Sequence, residues 1–184
     1  GDIARRIYDP EEKGQVIDVK TEGFDAAFTR SARLLADSAE PIFEAGFKAG
    51  GGLAFADVML PVIENGERAW QMVEVKSSTS VKDYHREDVA VQAFIAQAAG
   101  VTVKSVVLAC IDSSWVYPGE KDYRGLLAET DLSAETFARS DEVSAWMDEA
   151  QRVAAQHAEP AVGVGTHCHV PFACGFCNYC NRAN

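Results

Sequence analysis

Two acids and a lysine stand in segments that otherwise read as buried strand. Residues 54–60 (Ala-Phe-Ala-Asp-Val-Met-Leu) carry Asp57 as the single acid of an apolar run, and residues 70–76 (Trp-Gln-Met-Val-Glu-Val-Lys) carry Glu74 and Lys76. Successive strand side chains point to opposite faces, so Trp70, Met72, Glu74 and Lys76 share one face and Gln71, Val73 and Val75 the other. Charges in such places need a partner or a metal ion to offset the loss of water. Between the two segments Asn65-Gly66 is a strong hairpin signal, which makes them antiparallel neighbours and sets Asp57 beside Glu74. Two carboxylates so placed form a hard oxygen site of the kind Mg²⁺ or Mn²⁺ takes. The backbone carbonyl of Val75 can complete the shell, and Glu44, on the preceding segment, is a further candidate ligand. Lys76 can orient or help deprotonate an attacking water, or neutralise charge developing on a phosphate. Downstream, Tyr84, Asp88 and Gln92 recur at spacings of four and lay one polar stripe along a helix.

A second group of reactive side chains closes the chain. Cys168, Cys174, Cys177 and Cys180 fall within thirteen residues, with His167 and His169 flanking the first. Thiolates at such spacing let one loop wrap a Cys₄ iron–sulfur cluster or a tetrahedral zinc; the alternative is a set of free thiols. The fifth cysteine, Cys110, lies in the apolar run 103–111 and reads as a small buried hydrophobe.

The elements that must position these groups follow from periodicity. Apolar residues recur at helical spacing over about 25–39, ahead of Pro41. Residues 42–48, 53–62 and 70–77 read as three strands of an antiparallel meander, with Gly50-Gly51-Gly52 turning the first pair. A helix is expected over about 82–99, ended by Gly100. Residues 103–112 form a continuous apolar strand buried on both faces. Residues 113–132 read as loop and 133–156 as one long helix. Residues 1–22 are polar and mixed, with a short strand over 16–19. The pattern predicts an α/β fold with a central mixed sheet flanked by helices. Its division is residues 1–160 as one domain and 161–184 as a cysteine-rich segment packing on it.

Composition bounds what such a chain can be. Its 184 residues are 47% apolar and 24% charged, ordinary for a globular domain and unlike a disordered or disulfide-dominated chain. No run approaches the ~18 apolar residues of a membrane span, and no apolar signal-peptide core is present, so a cytoplasmic protein without membrane contact is expected. Seventeen basic against twenty-eight acidic residues leave a net charge of −11. A field of that sign repels phosphate backbones and argues against nucleic-acid binding on charge alone. The start at Gly1 without Met reads as an N-terminally truncated fragment, so partners include further domains of the parent protein.

The motifs point the other way. Asp57, then after sixteen intervening residues Glu74-Val75-Lys76, then Gln92 on a helix resemble the PD-(D/E)xK nuclease superfamily, most of all its RecB-type branch with the CRISPR-associated iron–sulfur exonucleases. Phe43-Glu44-Ala45, Ser77-Ser78-Thr79, Asp88 and the stretch from Gly165 to Cys180 extend the likeness over most of residues 40–180, and the segment is similar to a bacterial family with a nuclease-like domain ahead of a domain of unknown function. The resemblance implies a restriction-endonuclease-like core and a Mg²⁺- or Mn²⁺-dependent nuclease cutting DNA. It implies Asp57 and Glu74 as metal ligands, Lys76 as the assistant of the nucleophilic water and Gln92 beside the site. It also implies a cluster, 4Fe–4S in preference to zinc, on Cys168, Cys174 and Cys180, with Cys177 a stand-in or bystander. One family cysteine lies upstream of the domain and has no counterpart here. The family's Tyr four residues after the Gln is Ala96, and Glu44 stands near the place of its first His. No dense Lys/Arg stripe accompanies the motif, which places the grip on nucleic acid in the parent protein's other portions. The alternative from another class is a non-catalytic interaction module stapled by metal or cluster.

Overall fold

The computed structural model describes residues 1–64 and 66–183. Three apolar-rich segments form β2 (Ile42–Ala49), β3 (Gly52–Glu64) and β4 (Glu67–Lys76). Each pairs antiparallel with the next, as the meander requires. The β2–β3 turn is made by Gly50 and Gly51 at φ 57° and 77°, a region where a side chain would be strained. Gly66 sits at φ 82° in the following turn; Asn65, its expected partner, lies outside the described residues.

From β4 the chain crosses over through α4 (Asp83–Ala98) to β5 (Val103–Ile111), which lies parallel to β4. A parallel neighbour needs such a crossover, and the helix supplies it. Gly100, at φ 88°, ends the helix as expected. β1 (Gln15–Val16) adds parallel to β2, and β6 (Leu127–Asp131) adds antiparallel to β5, giving one mixed sheet in the order β1-β2-β3-β4-β5-β6.

The sheet is covered on two faces. On one, α3 (Phe24–Asp37) and α4 supply Ala27, Leu35, Val89, Ala93, Ile95 and Ala96 to a cluster with Ile42, Met59, Trp70, Met72 and Leu108. Burying each of the large members contributes about 1.5–3 kcal/mol. Trp70, 2% exposed, also places its indole N–H on the carbonyl of Leu35. On the other face a smaller cluster joins Phe43, Val58, Val73, Val107 and Ala109, with Tyr8 packed against it. Val106, Val107, Leu108, Ala109 and Cys110 are all buried, so β5 is covered on both faces as its unbroken apolar run implies.

Three expectations need correction. Residues 1–22 are not mostly irregular: α1 (Asp2–Tyr8) and α2 (Val19–Glu22) form there, and the short strand is Gln15–Val16. α1 is fixed by tertiary contact, with Ala4 buried and the Tyr8 hydroxyl donating to Glu129. Residues 113–132 are not all loop, because β6 lies among them; it is a polar edge strand whose burial follows no clean alternation. The single helix over 133–156 is two, α5 (Ser133–Ala138) and α6 (Ser140–Ala154), broken at Arg139. The chain divides into two compact units, Gly1–Met147 and Asp148–Asn184. The second holds a short 3₁₀ turn (Thr166–Cys168) and α7 (Cys177–Ala183). Among the described residues no helix is long and apolar enough to cross a membrane.

Candidate functional site

β3 and β4 part company where their acids stand. Their ladder runs from Glu64↔Glu67 to Val58↔Val73, and the next pair in that register would be Asp57 opposite Glu74. Instead the carboxylate of Asp57 takes the backbone N–H of Val75, with Oδ2 at 2.8 Å. Beyond this point β3 stays paired with β2 and β4 with β5. The sheet therefore forks, and a side chain occupies the place of a strand partner. An in-strand residue turns its carbonyl to the same side as its N–H, so the Val75 carbonyl also faces the fork.

β2 deforms at the same level. Phe43 belongs to one face cluster and Ala45 to the other, although regular alternation would put them together. β3 changes face between Ala56 and Val58, opposite that step. Glu44 absorbs the switch at φ 59°, a left-handed conformation costing a non-glycine residue about 1–2 kcal/mol. Strain of this kind gathers at functional sites.

The face assignment of β4 is as the sequence predicts. Trp70 and Met72 lie in the helix-side cluster, Val73 in the opposite one, and Glu74 and Lys76 point toward α4. There the Lys76 ammonium bridges Glu74 Oε1 at 2.7 Å and Asp88 Oδ2 at 2.5 Å. Gln92, one turn further along α4, donates its amide to Asp88 Oδ1 at 3.4 Å. Along the stripe, Asp88 and Gln92 thus join the Lys76 network, and Tyr84 stands edge-on to His85. Ala96, at the position of the absent Tyr, is fully buried in the core.

Electrostatics follow from this packing. Glu74 is 6% exposed. Burial pushes its carboxyl up to about 7, with the charge of Asp57 adding to the rise and the bond to Lys76 opposing it. Burial also raises Glu44, again assisted by Asp57. For Lys76, burial works against the charge, but the bonds to Asp88 and Glu74 outweigh it and hold the ammonium well above the ordinary lysine range. Lys76 is therefore a fixed cation and donor in this arrangement, not a base.

Among the described residues two buried side-chain oxygens have no hydrogen-bond partner, Glu74 Oε2 and Gln92 Oε1. Both are acceptors, and an acceptor left unmade in a low-dielectric setting costs about 1–3 kcal/mol. Oxygen acceptors are the groups a hard cation prefers, and Mg²⁺ commonly takes only one or two carboxylates, with water and substrate filling the rest. Among the described residues no group of three His, Cys, Asp or Glu side chains that could hold a metal ion is found. Glu44 lies close enough to Asp57 for that charge to act on it. Its register places it opposite Asp57, but its left-handed backbone takes it out of regular strand alternation.

The residues that sequence reasoning passed over are Asp88 as the second anchor of Lys76, and His85. The latter is 4% exposed and accepts the Lys82 N–H at Nδ1, fixing the first turn of α4 beside the site. Helical spacing from Gln92 points to Asp88; nothing in the sequence singles out His85.

In the second unit none of the four cysteines is in a disulfide; Cys168 is buried and Cys174 exposed. Burial raises the Cys177 thiol, followed by its interactions with Cys168, Cys174 and Cys180. Cys177 is therefore close enough to the other three for their charges to act on it, and among the described residues the thiols form no metal-holding group.

No protein-family profile and no curated protein sequence matches the chain. Among solved structures it is similar to one described as the crystal structure of SSO0001, with a TM-score of 0.30 and 16% identity over 67% of this chain. The match spans 58% of that protein's length.

Proposed function

We propose that the fork between β3 and β4 is the active site of a nuclease that hydrolyses phosphodiester bonds with a Mg²⁺ or Mn²⁺ ion, DNA being the substrate that the PD-(D/E)xK resemblance favours. The observation that carries the reading is the buried, unpartnered Oε2 of Glu74 beside Asp57, two strands after a backbone step that distorts the sheet at that level. Asp57 and Glu74 would hold the ion, with the Val75 carbonyl turned to the same side. A cation so placed supplies Lewis-acid polarisation of a phosphate oxygen and a lowered pKa for the attacking water.

The chain's own groups do the rest. Lys76, locked between Glu74 and Asp88, presents an ammonium at a fixed point and can stabilise the negative charge that grows on a phosphate under attack. Asp88 keeps that ammonium from swinging away, and Gln92 steadies Asp88 while offering Oε1 as an acceptor for water or substrate. Because Lys76 is held protonated, deprotonation of the water falls to a carboxylate or to solvent. The cysteines of the second unit are a structural iron–sulfur or zinc staple in this reading.

Calorimetric titration with Mn²⁺ tests the ion, and cleavage of a labelled DNA strand tests the chemistry. Wild type is expected to bind and cut, Asp57→Ala to lose the binding heat, and Glu74→Ala to lose cleavage with its circular dichroism intact. Negligible, equal heats for wild type and Asp57→Ala would favour the non-catalytic module, and a fully active Glu74→Ala would remove the proposed mechanism.

A further inference from the structure

The connection between β5 and β6 spans residues 112–126, although the two strands are antiparallel neighbours that a turn of about 2–5 residues could join. Loops of that length without their own secondary structure are usually functional. This one holds a preformed aromatic stack. Tyr117 and Tyr123 lie nearly parallel, ring centroids 5.6 Å apart and planes 20° off, and Trp115 completes the group at 5.8 and 6.4 Å. The rings are held at their edges: the Trp115 indole N–H donates to the Arg124 carbonyl, and the Tyr117 hydroxyl accepts the Lys121 N–H. Gly125, at φ 80°, leaves the Trp115 ring ordinary van der Waals room.

A stack that merely closed the loop would be covered. Here Tyr117 remains 49% exposed and its neighbour Val116 82%. The loop also begins at the sheet end where the site lies. Cys110 is the register partner of Lys76, and the Ile111 N–H donates to the Ser78 carbonyl. Trp115 is five residues from Cys110 and paired strands lie about 5 Å apart, so the Trp115 backbone stands within roughly 23 Å of the Lys76 backbone.

We infer that the Trp115–Tyr117–Tyr123 stack is a platform for the bases of single-stranded nucleic acid, next to the β3–β4 fork. The inference rests on the nuclease reading for its choice of occupant. Exposed aromatic faces take unstacked bases of any sequence, whereas a duplex keeps its base faces covered. Stacking also answers the charge of −11. The net charge gives phosphates no overall attraction, and a ring face binds a base without needing it.

The test is fluorescence anisotropy of the full chain with a labelled oligothymidine and, in parallel, a blunt duplex, in EDTA so that nothing is cut. Wild type is expected to prefer the single strand, Tyr117→Ala to weaken it about tenfold, and Tyr117→Phe to bind within about twofold of wild type; thermal melting checks that each variant is folded. Unchanged binding by Tyr117→Ala, equal affinity for the duplex, no binding by wild type, or displacement of the oligonucleotide by a proline-rich peptide overturns the platform. A separate cleavage assay in Mn²⁺ distinguishes the two failures. Cutting that is insensitive to Tyr117→Ala removes the platform and leaves the nuclease, while Tyr117-dependent binding without cutting removes the nuclease and leaves the platform.

Discussion

Replacing Glu74 by Gln is expected to stabilise the folded chain at pH 8 and to do little at pH 4.5. The Glu74 carboxyl titrates at about 7 in the fold against 4.5 in an ordinary setting, mainly because it is buried and secondarily because Asp57 is close. A tenfold change in proton affinity corresponds to about 1.4 kcal/mol, so keeping Glu74 ionised costs the fold about 3 kcal/mol. The sign is that of a raised pKa: the stability is fully present below pH 4.5 and is lost as pH climbs through about 7. Gln keeps the shape and an oxygen acceptor for Lys76 but never ionises. At about 2–4 °C per kcal/mol for a chain of this length, Glu74→Gln should melt about 6–12 °C above wild type at pH 8, the gap shrinking toward zero at pH 4.5. Calorimetric melts across that range provide the assay. Adding Mn²⁺ at pH 8 should raise the wild-type melt, by about 2.7 kcal/mol at one hundred times its dissociation constant, and leave Glu74→Gln unmoved. A Glu74→Gln protein less stable than wild type at pH 8, or equally shifted at both pH values, would refute the claim that burial strains this carboxylate.

The strained strand offers a second check: Glu44→Gly should hold or gain about 1 kcal/mol in denaturant titration, since glycine accepts φ 59° freely, whereas Glu44→Val should lose ground. Gly46→Ala should cost about 1–3 kcal/mol, because a methyl group there would meet the Phe55 and Phe28 rings at 2.7 and 2.9 Å beneath a backbone N–H already bound to Ser31. Protein purified without chelator should carry iron or zinc that Cys177→Ser removes as completely as Cys168→Ser, read by elemental analysis; five freely titrating thiols in the native protein would show that no centre forms.

Periodicity sufficed where burial is one-sided and long. The helices 24–37 and 83–98, the meander and the doubly covered β5 all stand where their apolar spacing puts them. It failed where tertiary contact decides. α1 has one buried alanine and a tyrosine tied to Glu129, too little apolar pattern to register as a helix. β6 is polar at the sheet edge, and the break at Arg139 has no proline or glycine to announce it. At the site, the pairing of Glu74 with Lys76 was legible because two charges on the core face of a strand demand partners. The left-handed Glu44 was not, because Phe43-Glu44-Ala45 reads as ordinary alternation while the backbone puts its two apolar members on opposite faces.

The arrangement makes sense as a set of opposing charges left unbalanced. Around the fork stand Asp57, Glu74 and Asp88 against the ammonium of Lys76, with Glu44 at the next strand, where the chain's amino terminus and Arg5 partly offset it. Lys76 satisfies one oxygen of Glu74 and one of Asp88, and the Val75 N–H satisfies one of Asp57. Burial alone would select against that surplus: an apolar residue at 74 would extend the stripe begun by Trp70 and Met72 and remove a cost of about 3 kcal/mol at neutral pH. A proton relieves the surplus at low pH, and a divalent cation bound as proposed would relieve it at neutral pH by engaging Glu74 Oε2, which no donor among the described residues reaches. Cation affinity at this fork must therefore climb with pH through about 7, as the proton that competes for Glu74 departs. Affinity for Mn²⁺ that is flat between pH 6 and 8 would mean that the ion, if bound, does not engage Glu74.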